Sequence, residues 1–260
     1  MGVGQVFILE RFSVVFTRIH FLIACTTSTN TFTLGPTPAE KEPTPLQHIR
    51  FLALGDSYTI GESVPVDARW SVQLAARLRA EGLPVDVPLI VARTGWTTAE
   101  LQGGITQAGI QGTYDLVSLL IGVNNQYRGG SQDVYRQEFR DLLALAIQFT
   151  GGDPGRVIVL SIPDWGVSPF AQGRDQQKIA AEIDAFNAIN RKVTAEAGVA
   201  YIDVTPVSRQ ASGTPALIAE DGLHPSGQMY AAWVDLMLPV VLDLFKDQGP
   251  LDIQLAANHG

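Results

Sequence analysis

Five short apolar runs punctuate the chain between residues 49 and 204, and the segments between them keep a different rhythm. The runs "IRFLALG" (49–55), "VPLIVA" (87–92), "LVSLLIG" (116–122), "RVIVLSI" (156–162) and "VAYIDV" (199–204) are short and mostly apolar rather than alternating. Continuous runs of this length predict strands buried on both faces, as in a parallel sheet. Residues 67–82, 97–109, 133–152 and 176–198 instead place apolar side chains three and four apart, and most of these segments close on glycine. They predict amphipathic helices with defined stops. A last helix is predicted over 226–245, with Pro239 expected to kink or end it. Strands that alternate with helices predict an α/β domain, its parallel sheet covered on both sides.

Composition narrows the picture. Of 260 residues, 46% are hydrophobic, ample for one large core with tails. The 18 basic residues are outnumbered by 26 acidic ones, for a net charge of −8, and no basic run is interleaved with aromatics. A nucleic-acid partner is not expected, because clustered positive charge is what neutralises phosphates.

The single cysteine, Cys25, excludes an intrachain disulfide and a cysteine-based metal cluster. Arg11 and Arg18 precede the apolar "FLIA" that abuts Cys25, and a Thr/Pro-rich stretch follows. Residues 1–25 therefore resemble a bacterial lipoprotein signal, and 26–46 read as a disordered tether. This leads us to expect an exported, periplasmic or cell-surface protein held at a membrane by lipidated Cys25, the alternative being a non-structured leader on a cytoplasmic protein. A single folded domain is expected over 47–247, with a tail over 248–260. No stretch after the leader reads as long and apolar enough to span a bilayer.

Open parallel sheets bind ligands beyond the carboxyl ends of their strands. The first run is followed by Asp56 and Ser57, the second by Arg93, Thr94, Gly95 and Trp96, the third by Asn124 and Asn125, and the fourth by Asp164 and Trp165. Beyond the fifth comes "EDGLHPSG" (220–227). Of the four histidines, His20, His48, His224 and His259, only His224 falls on this edge. A serine nucleophile there has one imidazole to use as base. Asp221, three residues before it, can hold the far ring nitrogen, fixing the tautomer and stabilising the imidazolium. Asp56 is expected to brace the loop by hydrogen bonds. Trp165, following the fourth run, is placed to line a binding site on this edge, whereas Trp70, at helical spacing from Leu74, reads as core.

Each residue alone has an ordinary explanation. Gly95 can begin a helix, Asn124 can cap a turn, and Asp221 can accept backbone N–H groups before Pro225. Their joint placement on one edge argues for a site. Two rival chemistries fit less well. A metal centre built from His224, Asp221 and Asp56 lacks a second histidine on that edge. A phosphate-binding flavodoxin-like module needs an anion-friendly loop where Asp56 stands.

The blocks "GDSYTIGE" (55–62), Gly95 in "RTGWTT", "IGVNN" (121–125) and "DGLHP" (221–225) occur in the order found in the GDSL or SGNH hydrolases, which this chain resembles over residues 51–230. The resemblance implies a three-layer α/β/α sandwich with a five-stranded parallel sheet in flavodoxin-like order 2-1-3-4-5. It implies serine-dependent hydrolysis of carboxylic esters, with no metal and no cofactor. Ser57 would be the nucleophile, His224 the base and Asp221 its orienter. The Ser57 and Gly95 backbone N–H groups and the Asn124 side-chain amide would bind the oxyanion. The family spans acyl esterases, lysophospholipases, thioesterases and carbohydrate O-acetyl esterases. A short-chain acyl ester is the expected substrate, with sugar O-acetyl groups the main alternative. One position departs: the third block usually ends in aspartate, and here it ends in Asn125, expected to brace the loop.

Overall fold

The computed structural model describes residues 48–246. The leader, tether and tail expected at 1–25, 26–46 and 248–260, with Cys25 among them, lie outside the described residues. Five parallel strands form one sheet: β1 (Phe51–Gly55), β2 (Leu89–Ala92), β3 (Leu116–Leu120), β4 (Val157–Leu160) and β5 (Ala200–Ile202). Their spatial order is β2-β1-β3-β4-β5, as the resemblance implied. Eight α-helices connect and cover them: α1 (Ser57–Ile60), α2 (Trp70–Ala80), α3 (Thr98–Ala108), α4 (Val123–Tyr127), α5 (Gln132–Phe149), α6 (Gln176–Glu196), α7 (Thr205–Arg209) and α8 (Gly227–Lys246). Helix α2 packs with α8, while α3, α5 and α6 pack in series, giving the two outer layers.

Burial explains why the central runs are continuously apolar. Every residue of β1, β3 and β4 is buried, so neither face of these strands tolerates a charge. The expectation of two buried faces fails at β2, where Leu89 is 44% exposed and Ile90 only half-buried. The strand lies at the sheet edge, so helices cover it on fewer sides. Trp70 and Leu74 are fully buried, as their helical spacing predicted.

Pro239 does not end the last helix, which continues to Lys246. Proline removes the N–H that would reach the carbonyl of Asp235, but both residues are exposed, so water can solvate that carbonyl. By length and composition α8 passes as a membrane span, contrary to the sequence expectation. Its apolar stripe, including Trp233, Met237 and Val241, is instead buried against the core.

The register places the site. Gly55 pairs with Ala92 on one side and Leu120 on the other, so three strands end level. Ser57, Gly95 and Asn124 therefore emerge from neighbouring strands at one edge.

Candidate active site

The segment that carries Ser57 leaves β1 through a position that only glycine can fill. A Cβ on Gly55 would collide with the Leu120 carbonyl oxygen and the Thr59 side chain. Asp56 then caps α1, its Oδ1 accepting the Tyr58 N–H at 3.0 Å, which is the bracing role expected of it. The carboxyl is fully buried, and desolvation pushes its pKa up to about 7. Ser57 heads the single turn of α1, and Gly61, at φ 70°, reverses the chain after it.

Ser57, Gly95, Asn124, His224 and Trp165 all line one cavity of about 180 Å³. Asp221 stands behind His224, its Oδ2 2.6 Å from the imidazole Nδ1. The other ring nitrogen, Nε2, makes no hydrogen bond among the described residues, so a donated Nδ1–H leaves Nε2 as the basic site. The Ser57 hydroxyl makes no hydrogen bond to the ring either; such contacts commonly stay long until the Michaelis complex forms. Burial alone would raise the Asp221 pKa. Hydrogen bonds from the His224 ring, the Leu223 and His224 backbone N–H groups and the Ser63 hydroxyl instead hold it well below the usual carboxylate range. The turn around it closes through the Ala219 N–H, which donates to the His224 carbonyl at 2.8 Å.

Opposite this pair, two loops are fastened to one another. Gly95 adopts φ 86°, and its carbonyl accepts from Arg128 Nη2 at 2.6 Å. The Asn124 amide donates one N–H to the Trp96 carbonyl at 2.9 Å. Its second N–H is thereby oriented with no hydrogen-bond partner among the described residues. The backbone N–H groups of Ser57 and Gly95 likewise find no partner among the described residues. Asn125 is buried: its Oδ1 accepts the Thr98 N–H at 3.1 Å and its Nδ2 donates to Thr98 Oγ1 at 2.7 Å. The Thr98 hydroxyl in turn donates a hydrogen bond to the Glu138 carboxylate on α5. A carboxylate is thus still present behind this loop, supplied by a helix at one remove.

Trp165 is buried in the cavity wall, its indole N–H donating to Gln126 Oε1 at 2.8 Å. Two residues that sequence reasoning missed complete this wall. Tyr127 and Phe170 meet Trp165 with ring centroids at 5.4 and 6.0 Å, and the Arg174 guanidinium lies 4.9–5.4 Å from all three rings. Both missed aromatics follow strands on the ligand edge, and that placement was the available signal. The Phe170 N–H also donates to the Gly222 carbonyl at 2.9 Å, joining the aromatic wall to the turn that carries His224. Trp96 covers Gly104 of α3, where any Cβ would strike its ring. Among the described residues, no three His, Cys, Asp or Glu side chains converge as a metal-binding group.

A hydroxyl, an imidazole held by a carboxylate, and unpartnered N–H donors around one small apolar cavity suit acyl transfer. A model of the GDSL-like lipase/acylhydrolase family matches residues 53–232. Among solved structures, TesA is 20% identical with a TM-score of 0.59, covering 76% of this chain and 99% of its own. The acetylxylan esterase Axe2 from Geobacillus stearothermophilus is 19% identical with a TM-score of 0.58, covering 74% and 94% respectively. The psychrotrophic esterase EstA from Pseudoalteromonas sp. is 15% identical with a TM-score of 0.56, covering 75% and 97%. At these identities the likeness speaks to the fold. No curated protein matches the sequence.

Proposed function

The chain belongs to the GDSL-like lipase/acylhydrolase family and is a carboxylic ester hydrolase, and from that premise we propose that it cleaves short-chain acyl esters through an acyl-enzyme on Ser57. Ser57 Oγ attacks the ester carbonyl while His224 Nε2 takes its proton. The imidazolium, steadied by Asp221 through Nδ1, returns that proton to the leaving alcohol. Water then enters by the same route in reverse, releasing the acid and freeing Ser57. The oxyanion of each tetrahedral intermediate accepts from the Ser57 and Gly95 backbone N–H groups and the second Asn124 amide N–H.

The observation that supports this reading most directly is that Ser57, His224, Gly95 and Asn124 border one cavity with Asp221 on the far side of the imidazole. Its small volume and its wall of Trp165, Tyr127, Phe170 and Val123 favour a short acyl group over a long one. A second reading, hydrolysis of O-acetyl groups on a glycan, draws on the exposed rings of Tyr127 (47%) and Phe170 (42%) at the cavity rim. Flat aromatic faces of that kind can stack on a sugar ring.

Chromogenic esters of increasing acyl length, assayed beside an acetylated-glycan panel, separate the two. The first reading expects activity to fall steeply beyond short acyl groups. Ser57→Ala should fold and lose nearly all activity, and a serine-directed phosphonate should label Ser57. Labelling at another residue, or an active alanine variant, overturns the mechanism.

A further inference from the structure

Ser63 is the one non-glycine residue at positive φ among the described residues, at 63°. Serine reaches the left-handed region only with strain that glycine avoids, and such outliers persist where the surrounding structure requires them. The strain here accompanies a contact. Ser63 Oγ donates to Asp221 Oδ2 at 2.7 Å, the same oxygen that faces His224 Nδ1. Asp221 Oδ1 accepts the Leu223 and His224 N–H groups at 2.9 and 3.0 Å. A carboxylate has about four acceptor sites, and all are filled. Three of the four donors come from the turn of Asp221 itself; Ser63 is the exception.

We propose that Ser63 is a positioning residue for ester hydrolysis, its left-handed backbone aiming the hydroxyl so that the Asp221 carboxylate plane, and with it the His224 ring, is fixed relative to the segment that carries Ser57. The proposal rests on the triad assigned under the proposed function. Without the Ser63 donor, Asp221 is held only by groups of its own turn, and Oδ2 loses the contact that fixes its direction from outside. Ser63 is exposed and lies outside the cavity lining, so it has no part in binding substrate. The bond also joins two segments that are each near the surface, so substitution here leaves the core untouched.

The full chain is assayed on a short-chain chromogenic ester with three variants. Ser63→Gly relieves the backbone strain and removes the donor. The expected result is a raised melting temperature together with a kcat lowered about 10-fold, the low end of the loss when an orienting partner behind an active imidazole is removed, with KM within about twofold. Ser63→Ala should show the same kcat loss without the thermal gain. Ser63→Asn tolerates the left-handed backbone and carries an amide donor, and should recover most of kcat. Parental kcat in Ser63→Gly overturns the proposal, as does a kcat loss that Asn does not rescue or that comes with a lowered melting temperature. Phosphonate labelling of Ser57 in the same preparations tests the triad separately: failure there removes the mechanism, whereas normal labelling with parental kcat in Ser63→Gly removes only the role of Ser63.

Discussion

The two sides of the cavity are held by different means. The Gly95 and Asn124 side is cross-linked between elements: Asn124 to Trp96, Asn125 twice to Thr98, Thr98 to Glu138, and Arg128 to both Gly95 and Glu100. The Asp221 and His224 side is held chiefly within one turn, through the carboxylate's bonds to Leu223 and His224. Oxyanion donors lower a barrier only if they already point at charge that has yet to develop, so they must be rigid in advance. An acid-base pair separated by one turn gets its geometry from local chain chemistry, and needs outside help only to set its direction. Preorganisation is concentrated where charge appears; where a proton moves, local spacing carries most of the geometry and one outside donor, Ser63, sets its direction.

That contrast can be broken most severely at Asp221. Asp221→Asn should keep the fold and lower kcat by about 10⁴-fold, because an amide in that place favours the wrong imidazole tautomer. Circular dichroism beside steady-state kinetics checks it; a loss below about 10-fold would mean that the ring is oriented by something other than this carboxylate.

On the cross-linked side, Asn124→Ala removes the donor proposed to act in the transition state. A kcat about 10²- to 10³-fold lower with little change in KM is expected. If Asn125→Ala costs more kcat than Asn124→Ala, the donor has been assigned one residue early.

The cross-linking itself is probed more gently. Asn125→Asp cannot donate to Thr98 Oγ1, and it sets a second carboxylate against Glu138 for one hydroxyl proton. A loss of up to about tenfold in kcat/KM is expected, equivalent to roughly 1.4 kcal/mol. Adding Glu138→Gln should restore the parent's value, since Thr98 can then donate to Asp and accept from Gln. Non-additive kinetics in that double-mutant cycle would establish the relay; strict additivity would dissolve it.

The smallest effect on turnover, and a clear one on stability, is expected at Asp56 beneath the nucleophile. Burial raises its pKa from 3.8 to about 7, so below about pH 4 the carboxyl is protonated in folded and unfolded chains alike. As pH rises towards 7 the unfolded chain ionises first, and stability is lost across that window. Asp56→Asn keeps the Tyr58 cap and has no proton to lose. Its melting temperature should gain about 5 °C on the parent between pH 4 and 7, measured by thermal unfolding. Parallel pH profiles for the two chains would show that Asp56 is ionised in the fold.

Much of this was legible in the sequence because burial writes itself into composition. β1, β3 and β4 are covered on both faces and read as unbroken apolar runs, whereas β2 carries the same letters at an exposed edge, which the letters do not distinguish. Ser57, Gly95, Asn124 and Trp165 share a cavity because each follows a strand whose end the register aligns, and His224 joins them from the turn that precedes α8. Asp221 was found from its spacing to His224. Ser63 left no such trace: its partner is 158 residues away, and a serine in a surface turn is unremarked until backbone angles are known. Thr98 and Glu138 were hidden for the same reason. The missing carboxylate at Asn125 looked like a loss, and only the fold brings one back from a distant helix.

The bond from the Phe170 N–H to the Gly222 carbonyl has a consequence for how this scaffold can diversify. Enlarging the cavity by remodelling the turn around Phe170 pulls on the segment that carries His224, the proposed general base, so a change in substrate range is expected to come with a change in turnover. Variants chosen for bulkier acyl groups should arrive with compensating changes in residues 219–223, and an engineer who alters one segment should randomise both together.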